Sequence, residues 1–162
     1  MRYVCRLLSR ELARARRNFP AVILTGPRRA GKTTLLRREL PRATYWLMED
    51  PDVVGRVRSD PRAFLADLRP PVILDEIQNV PEILNYVRSR IDAAPERKGQ
   101  WILTGSQDAP LMRGVTESLA GRAAVLQLLP FATFETEKVS LLRGGFPEAL
   151  ARPAAASLWF RS

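Results

Sequence analysis

Apolar residues along this chain gather in short blocks separated by longer mixed stretches. Ala21-Val22-Ile23-Leu24, Val72-Ile73-Leu74 and Trp101-Ile102-Leu103 are uninterrupted, and the stretch 123–128 is nearly so. Blocks this short, without polar alternation, fit strands covered on both faces. The mixed stretches place apolar residues every three or four positions, the spacing of a helix with one buried stripe. The pattern predicts a helix over 2–17, a strand at Ala21–Thr25, a helix over 32–40 and a strand over 44–48. It continues with a helix over 61–68, a strand at Val72–Asp75, a helix over 81–93, a strand at Trp101–Thr104, a helix at Ala109–Leu119 and a strand over 123–128. Pro41 stops the second helix, and Asp60-Pro61 suits the cap and first position of the third. The stretch between residues 48 and 60, marked by Pro and Asp, reads as a connection. Strands alternating with helices predict an α/β fold, a parallel sheet of about five strands with helices on both faces. Pro130 marks the expected end of this unit, 1–130. Residues 131–162 read as the start of a further region, with a helix over 154–160 that leaves Leu158, Trp159 and Phe160 exposed.

Composition narrows the chemistry. A chain of 162 residues with 46% hydrophobic and 27% charged residues suits one soluble domain with a full core. No apolar run is long enough to span a bilayer. The single cysteine, Cys5, excludes an internal disulfide, and the absence of histidine removes imidazole catalysis and most zinc sites. Chemistry must therefore rest on carboxylates, Lys, Arg, hydroxyls and a bound metal. The net charge of +9 is carried almost wholly by arginine. On a helical wheel, Arg2, Arg6, Arg10, Arg14 and Arg17 share one face and Val4, Leu8, Leu12 and Ala15 the other. This is either a docking helix with a solvated polar face or a contact for phosphodiester backbone or lipid headgroups. Tyr3 alone offers an aromatic for stacking.

One segment carries specific chemistry. Gly26-Pro27-Arg28-Arg29-Ala30-Gly31-Lys32-Thr33 matches the phosphate-binding loop G-x-x-x-x-G-K-[ST], set between a strand and a helix. The glycines let the backbone curl so that successive N–H groups can cradle an anion. Lys32 supplies a cation for the β- and γ-phosphates, the Thr33 hydroxyl can ligate Mg²⁺, and the helix N-terminus adds its dipole. Asp75 and Glu76 close a second apolar strand. In P-loop enzymes such a strand lies beside the first, with the Asp holding Mg²⁺ and the next acid placed to deprotonate a water. The alternative is that the two acids cap the following helix. Beyond the strand at Trp101–Thr104, the polar residues Thr104, Ser106 and Gln107 are candidates to sense a γ-phosphate. Ser106 is the choice among them, against the alternative of a helix N-cap.

These motifs, with Asp75-Glu76-Ile77-Gln78, Thr104-Gly105-Ser106, Ala120-Gly121-Arg122 and Gly144-Gly145-Phe146-Pro147-Glu148, resemble the AAA-type P-loop ATPases of bacteria and archaea. The resemblance spans nearly the whole chain. In that family an ATPase domain precedes a C-terminal domain of unknown role, so this chain is expected to be a truncated or minimal relative. The resemblance implies a cytoplasmic enzyme that binds ATP and Mg²⁺ and couples hydrolysis to movement of a partner or C-terminal domain. The site would comprise Gly26, Pro27, Arg28, Arg29, Ala30, Gly31, Lys32, Thr33, Thr34 and Ser106 around the nucleotide. Thr33 and Asp75 would lie on the metal, with Glu76 and Lys32 in catalysis. Arg122 would reach the γ-phosphate of a neighbouring copy in a homo-oligomer, unless it is structural and pairs with a helix C-terminus; Arg113 is the weaker candidate. The rival reading is a nucleotide-gated module that holds nucleic acid through its basic surface, or another protein, with negligible turnover.

Overall fold

The computed structural model describes residues 3–105, 109–140 and 144–156. Five strands, β1 (Ala21–Thr25), β2 (Thr44–Leu47), β3 (Val72–Asp75), β4 (Trp101–Thr104) and β5 (Ala123–Gln127), form one sheet in the order β2-β3-β4-β1-β5. Every pairing is parallel. The inner strands β1, β3 and β4 are buried along their whole length, as their unbroken apolar runs require. Alternate residues feed two cores. Ala21, Ile23, Val72, Leu74 and Leu103 face one core, whereas Val22, Leu24, Ile73 and Ile102 face the other.

Helices cover both faces. Helices α1 (Leu8–Asn18) and α2 (Lys32–Glu39) seat Leu12, Ala15, Leu35 and Leu36 in the second core. Helices α3 (Pro51–Ser59), α4 (Pro61–Ala66), α5 (Ile83–Asp92) and α6 (Ala109–Leu119) cover the first. A short helix, α7 (Pro147–Ala151), follows the sheet.

Helix α7 was not expected from the sequence, most of the helix expected over 154–160 lies outside the described residues, and the structure departs from the sequence pattern in three further places. The stretch read as a connection before residue 60 holds α3. The Asp50 side chain accepts from the Asp52 N–H at 2.9 Å, Pro51 takes the first position, and Val57 alone is fully buried. One buried residue leaves no readable period. Second, β3 does not lie beside β1, because β4 separates them. The sequence contains no information on which of two apolar strands inserts between the others.

The third departure is at the N-terminus, where the helix begins at Leu8 rather than residue 2. Arg6 does not join a solvated basic stripe; it is 6% exposed. Its Nη1 donates to the Ala30 carbonyl at 3.0 Å, its Nη2 to the Leu129 carbonyl at 2.5 Å, and its Nε to Glu135 Oε1 at 2.9 Å. The guanidinium also lies 4.3 Å from the centre of the Phe131 ring. One side chain thus ties the N-terminal segment to the phosphate loop and to the chain after β5.

Burial acts to raise the Glu135 carboxyl, but N–H donors from Ala132 and Leu7 and the Arg6 guanidinium outweigh it and hold the group below its ordinary 4.5. A lowered folded-state value contributes stability above the unfolded value, and that contribution is lost as pH falls through the folded one. Replacing Glu135 with Gln should therefore cost about 3 kcal/mol at neutral pH, by leaving a buried guanidinium unpaired. The difference from wild type should shrink below pH 4.5. Denaturant unfolding of both proteins across this range checks it; a constant difference would refute the ion-pair origin.

Candidate active site

The site sits where β1, β3 and β4 end. The chain leaves β1 at Gly26, whose φ is +141°, and a Cβ there would stand 2.1 Å from the Leu128 carbonyl oxygen. Only glycine fits so close a passage. Gly31, at φ +96°, turns the loop into α2. Arg29 also adopts a positive φ of 61°. Lys32 folds back over the loop, its Nζ donating to the carbonyls of Gly26 at 2.9 Å and Pro27 at 3.2 Å. An ammonium has three donors, so one more is available. Burial lowers the Lys32 pKa, Glu76 and Asp75 oppose that, and Arg28 adds to it.

Asp75, 1% exposed, is the organising group. Thr33 Oγ1 donates to its Oδ2 at 2.7 Å and the Tyr45 hydroxyl to the same oxygen at 2.6 Å. Thr104 Oγ1 donates to Oδ1. The Tyr45 phenol is pushed up to about 12 by burial, then by its bond to Asp75 and the charge of that carboxylate, with Arg37 opposing.

Thr104 has a second bond, accepting the Glu76 N–H at 3.2 Å. Glu76 takes a left-handed conformation, φ 59°. Successive strand residues point to opposite faces, and this turn breaks that alternation. Glu76 thereby lines the same cleft as Lys32 and Thr33. Its Oε2 accepts from Gln78 Nε2 at 2.5 Å. Asp75-Glu76 does not cap α5, whose N-cap residue is Glu82.

The cleft measures about 710 Å³ and is lined by Arg29, Gly31, Lys32, Thr33, Thr34 and Glu76 from the sheet side, and by Pro147, Glu148 and Arg152 from the far side. Pro147 and Glu148 entered the sequence reading only as part of a family motif, and none of the three was given a place in the site. The signal that could have found them is Gly145, where a Cβ would stand 2.1 Å from the Phe131 carbonyl oxygen. The Phe131 N–H donates to the Gly145 carbonyl at 2.7 Å, and that pairing returns the chain to the loop. A smaller, apolar pocket of about 160 Å³ adjoins, lined by Val4, Leu35 and Phe131 among others and sharing Gly31, Thr34 and Pro147 with the cleft.

Of the remaining sequence-derived site residues, one has no described position and one lies elsewhere. Ser106 falls outside the described residues. Arg122 precedes β5 at the opposite end of the sheet, its carbonyl accepting from the Ala21 N–H at 3.2 Å. Its guanidinium grips Asp92, the last residue of α5, at 2.5 and 3.1 Å. Within one chain it does not meet the phosphate loop. Arg28 is exposed beside the cleft but not among its lining residues.

Among the described residues there is no cluster of three or more His, Cys, Asp or Glu that could cage a metal. The hydroxyl of Thr33 and the carboxylate of Asp75 are hard oxygen donors. They suit Mg²⁺, which keeps several waters and takes phosphate oxygens rather than an all-protein cage. No described helix is long and apolar enough to cross a membrane.

A family model described as an AAA domain matches residues 18–137. An uncharacterized protein of Mycobacterium tuberculosis and one of Mycobacterium bovis are each 33% identical over 158 residues, covering 90% of this chain. The chain spans about a third of the length of these curated relatives, 35% in each case. Among solved structures, the Walker-type ATPase of Pyrococcus abyssi is similar with a TM-score of 0.56 and 21% identity, covering 91% of this chain and 61% of that one. At that identity the likeness is one of fold.

Thr104→Val keeps the shape of the site but removes both bonds of the bridging hydroxyl. Asp75 loses a donor and the Glu76 N–H an acceptor, which should cost about 2 kcal/mol in a buried setting. Urea unfolding measures this, and an unchanged midpoint would show that the bridge contributes nothing.

Proposed function

The chain belongs to the AAA-type P-loop ATPase family, and on that premise we propose that its cleft binds Mg-ATP and hydrolyses it by in-line attack of water. The observation that carries this reading is the meeting of the loop hydroxyl of Thr33 with Asp75 at 2.7 Å, while Glu76 lines the same cleft as Lys32. Lys32 and backbone N–H groups of the phosphate loop hold the phosphates. Thr33 and Asp75 hold Mg²⁺, which when bound supplies charge neutralisation for the phosphate oxygens. Glu76, oriented by Gln78, accepts the proton of the attacking water. Arg28, Arg29 and Ser106 complete the polyphosphate site, and the apolar pocket beside Val4 and Phe131 takes the base. Residues 1–130 form the ATPase unit and 131–162 begin a further region. Because Pro147, Glu148 and Arg152 line the cleft, nucleotide occupancy is felt in that region, which is the route by which hydrolysis moves a partner or C-terminal domain. Arg122 acts on a neighbouring copy only by releasing Asp92.

Lys32→Ala should weaken binding of a fluorescent ATP analogue by on the order of 2 kcal/mol or more. Glu76→Gln should bind normally and lose roughly a hundredfold in turnover. Arg122→Ala should lower turnover, and not affinity, only where copies associate. Equal affinities of wild type and Lys32→Ala in equilibrium titration would sink the assignment. Undiminished turnover in Glu76→Gln would remove its role as base.

A second reading, a nucleotide-gated nucleic-acid binder, is favoured by how charge divides between the faces. Arg10, Arg14 and Arg17 on α1, Arg37 and Arg38 on α2, and Arg42 beyond it are all exposed on one face of the sheet. The ion pairs of Arg56, Arg58, Arg88 and Arg122 lie on the other. The apolar stripe of α1 is spent on the core, so the helix is not free to enter a lipid surface. If these arginines meet a phosphodiester backbone, duplex DNA binding should weaken steeply with salt, with a log–log slope of up to about −5. Replacing Arg10, Arg14 and Arg17 with Gln should flatten the slope by about 3. Fluorescence anisotropy across a salt series, with and without Mg-ATP, decides it; a slope the triple variant leaves unchanged would dismiss this reading.

A further inference from the structure

Tyr45 has no place in the phosphate loop or the acidic pair, yet its hydroxyl ends on the carboxylate that both depend on. The register explains how. Tyr45 stands opposite Ile73 in the β2–β3 pairing, and Asp75 lies two residues beyond Ile73 on the same face. A diagonal neighbour on a sheet face is within reach of a long aromatic side chain. The phenol arrives at Asp75 Oδ2 at 2.6 Å, and the ring is clamped by the Arg37 guanidinium of α2, 4.1 Å from its centre.

A carboxylate has about four lone-pair sites. At Asp75, Thr104 takes one on Oδ1, and Thr33 and Tyr45 take both on Oδ2. The last torsion of an Asp side chain is broad and only weakly held by its own rotamer preference. Orientation therefore comes from the donors. Thr33 is itself a proposed metal ligand and Thr104 also serves the Glu76 N–H. Tyr45 serves neither the metal nor the Glu76 N–H; besides Asp75, its hydroxyl meets, among the described residues, only the Arg37 guanidinium that also holds its ring.

We propose that Tyr45 is a positioning residue for the metal site, holding Asp75 so that the remaining lone pair faces the ion's coordination shell. The inference rests on the reading of Asp75 as a holder of Mg²⁺. Groups that orient a metal-holding carboxylate commonly contribute ten- to a hundredfold to metal affinity.

The test is Tyr45→Phe, which keeps the ring and its contact with Arg37, studied beside Asp75→Asn. A fluorescent ATP analogue is titrated first without metal and then, at fixed nucleotide, with Mg²⁺ and separately with Mn²⁺ followed by electron paramagnetic resonance. The expected result for Tyr45→Phe is metal-free nucleotide affinity within twofold of wild type and a metal midpoint raised by about tenfold. Asp75→Asn should raise the midpoint further. A normal midpoint in Tyr45→Phe, with Asp75→Asn impaired, overturns the positioning role while leaving the metal reading intact. Normal midpoints in both variants overturn the metal reading and this inference with it. Equal loss of metal-free and metal-dependent affinity, or failure of Tyr45→Phe to fold, makes Tyr45 structural and also overturns the proposal. Substituting p-aminophenylalanine at position 45, which restores an N–H donor on the same ring, should return the midpoint toward wild type.

Discussion

A charge buried at the end of a central strand is the constraint around which this molecule is arranged. Asp75 is 1% exposed, and a carboxylate removed from water must be matched by hydrogen-bond donors. Its donors come from three separate elements: Thr33 at the start of α2, Tyr45 in β2 and Thr104 at the end of β4. Satisfying one side chain therefore ties the phosphate loop, an outer strand and an inner strand into one geometry. Thr104 passes the constraint on through the Glu76 N–H, and the left-handed turn there brings a second acid to the cleft. The same bonds that make burial of Asp75 tolerable set the spacing between loop and acids.

A buried ion pair does for the outer wall what the hydroxyl-bonded Asp75 does for the floor. Arg6 and Glu135 are each 6% exposed at their side chains and lie on either side of the phosphate loop in sequence. Because Arg6 also donates to the Ala30 carbonyl inside the loop, the loop conformation is coupled to the segment after β5. That segment carries Pro147, Glu148 and Arg152 to the cleft. There Glu148 and Arg152 pair with each other at 3.3 Å. The cleft is thus walled by residues more than a hundred positions apart.

The distribution of arginine follows from which faces are paired. On the α3 to α5 side, several exposed guanidiniums find acids, as Arg56 does with Asp67 and Arg58 with Glu82. On the α1 and α2 side the acids are Glu11 and Glu39, and Glu39 is engaged with the Ser9 hydroxyl. Exposed surface pairs contribute little to stability, so this asymmetry bears on what approaches the molecule rather than on how it folds.

Periodicity and motif chemistry alone determined the parallel α/β architecture, the strands to within a residue, and the phosphate loop with its lysine, threonine and following acids. Those features are local: a doubly covered strand must be apolar throughout, and a backbone curled round an anion needs glycine where φ is positive. Helix α3 was hidden because one buried residue produces no period. Strand order, the burial of Arg6 against Glu135, the distance of Arg122 from the loop, the arrival of Tyr45 at Asp75, and that of Glu148 and Arg152 at the cleft were decided only in three dimensions. Each depends on which segments become neighbours. That choice is set by the joint burial of two cores, of Asp75 and of the Arg6–Glu135 pair, a condition on the whole chain that no window of sequence contains.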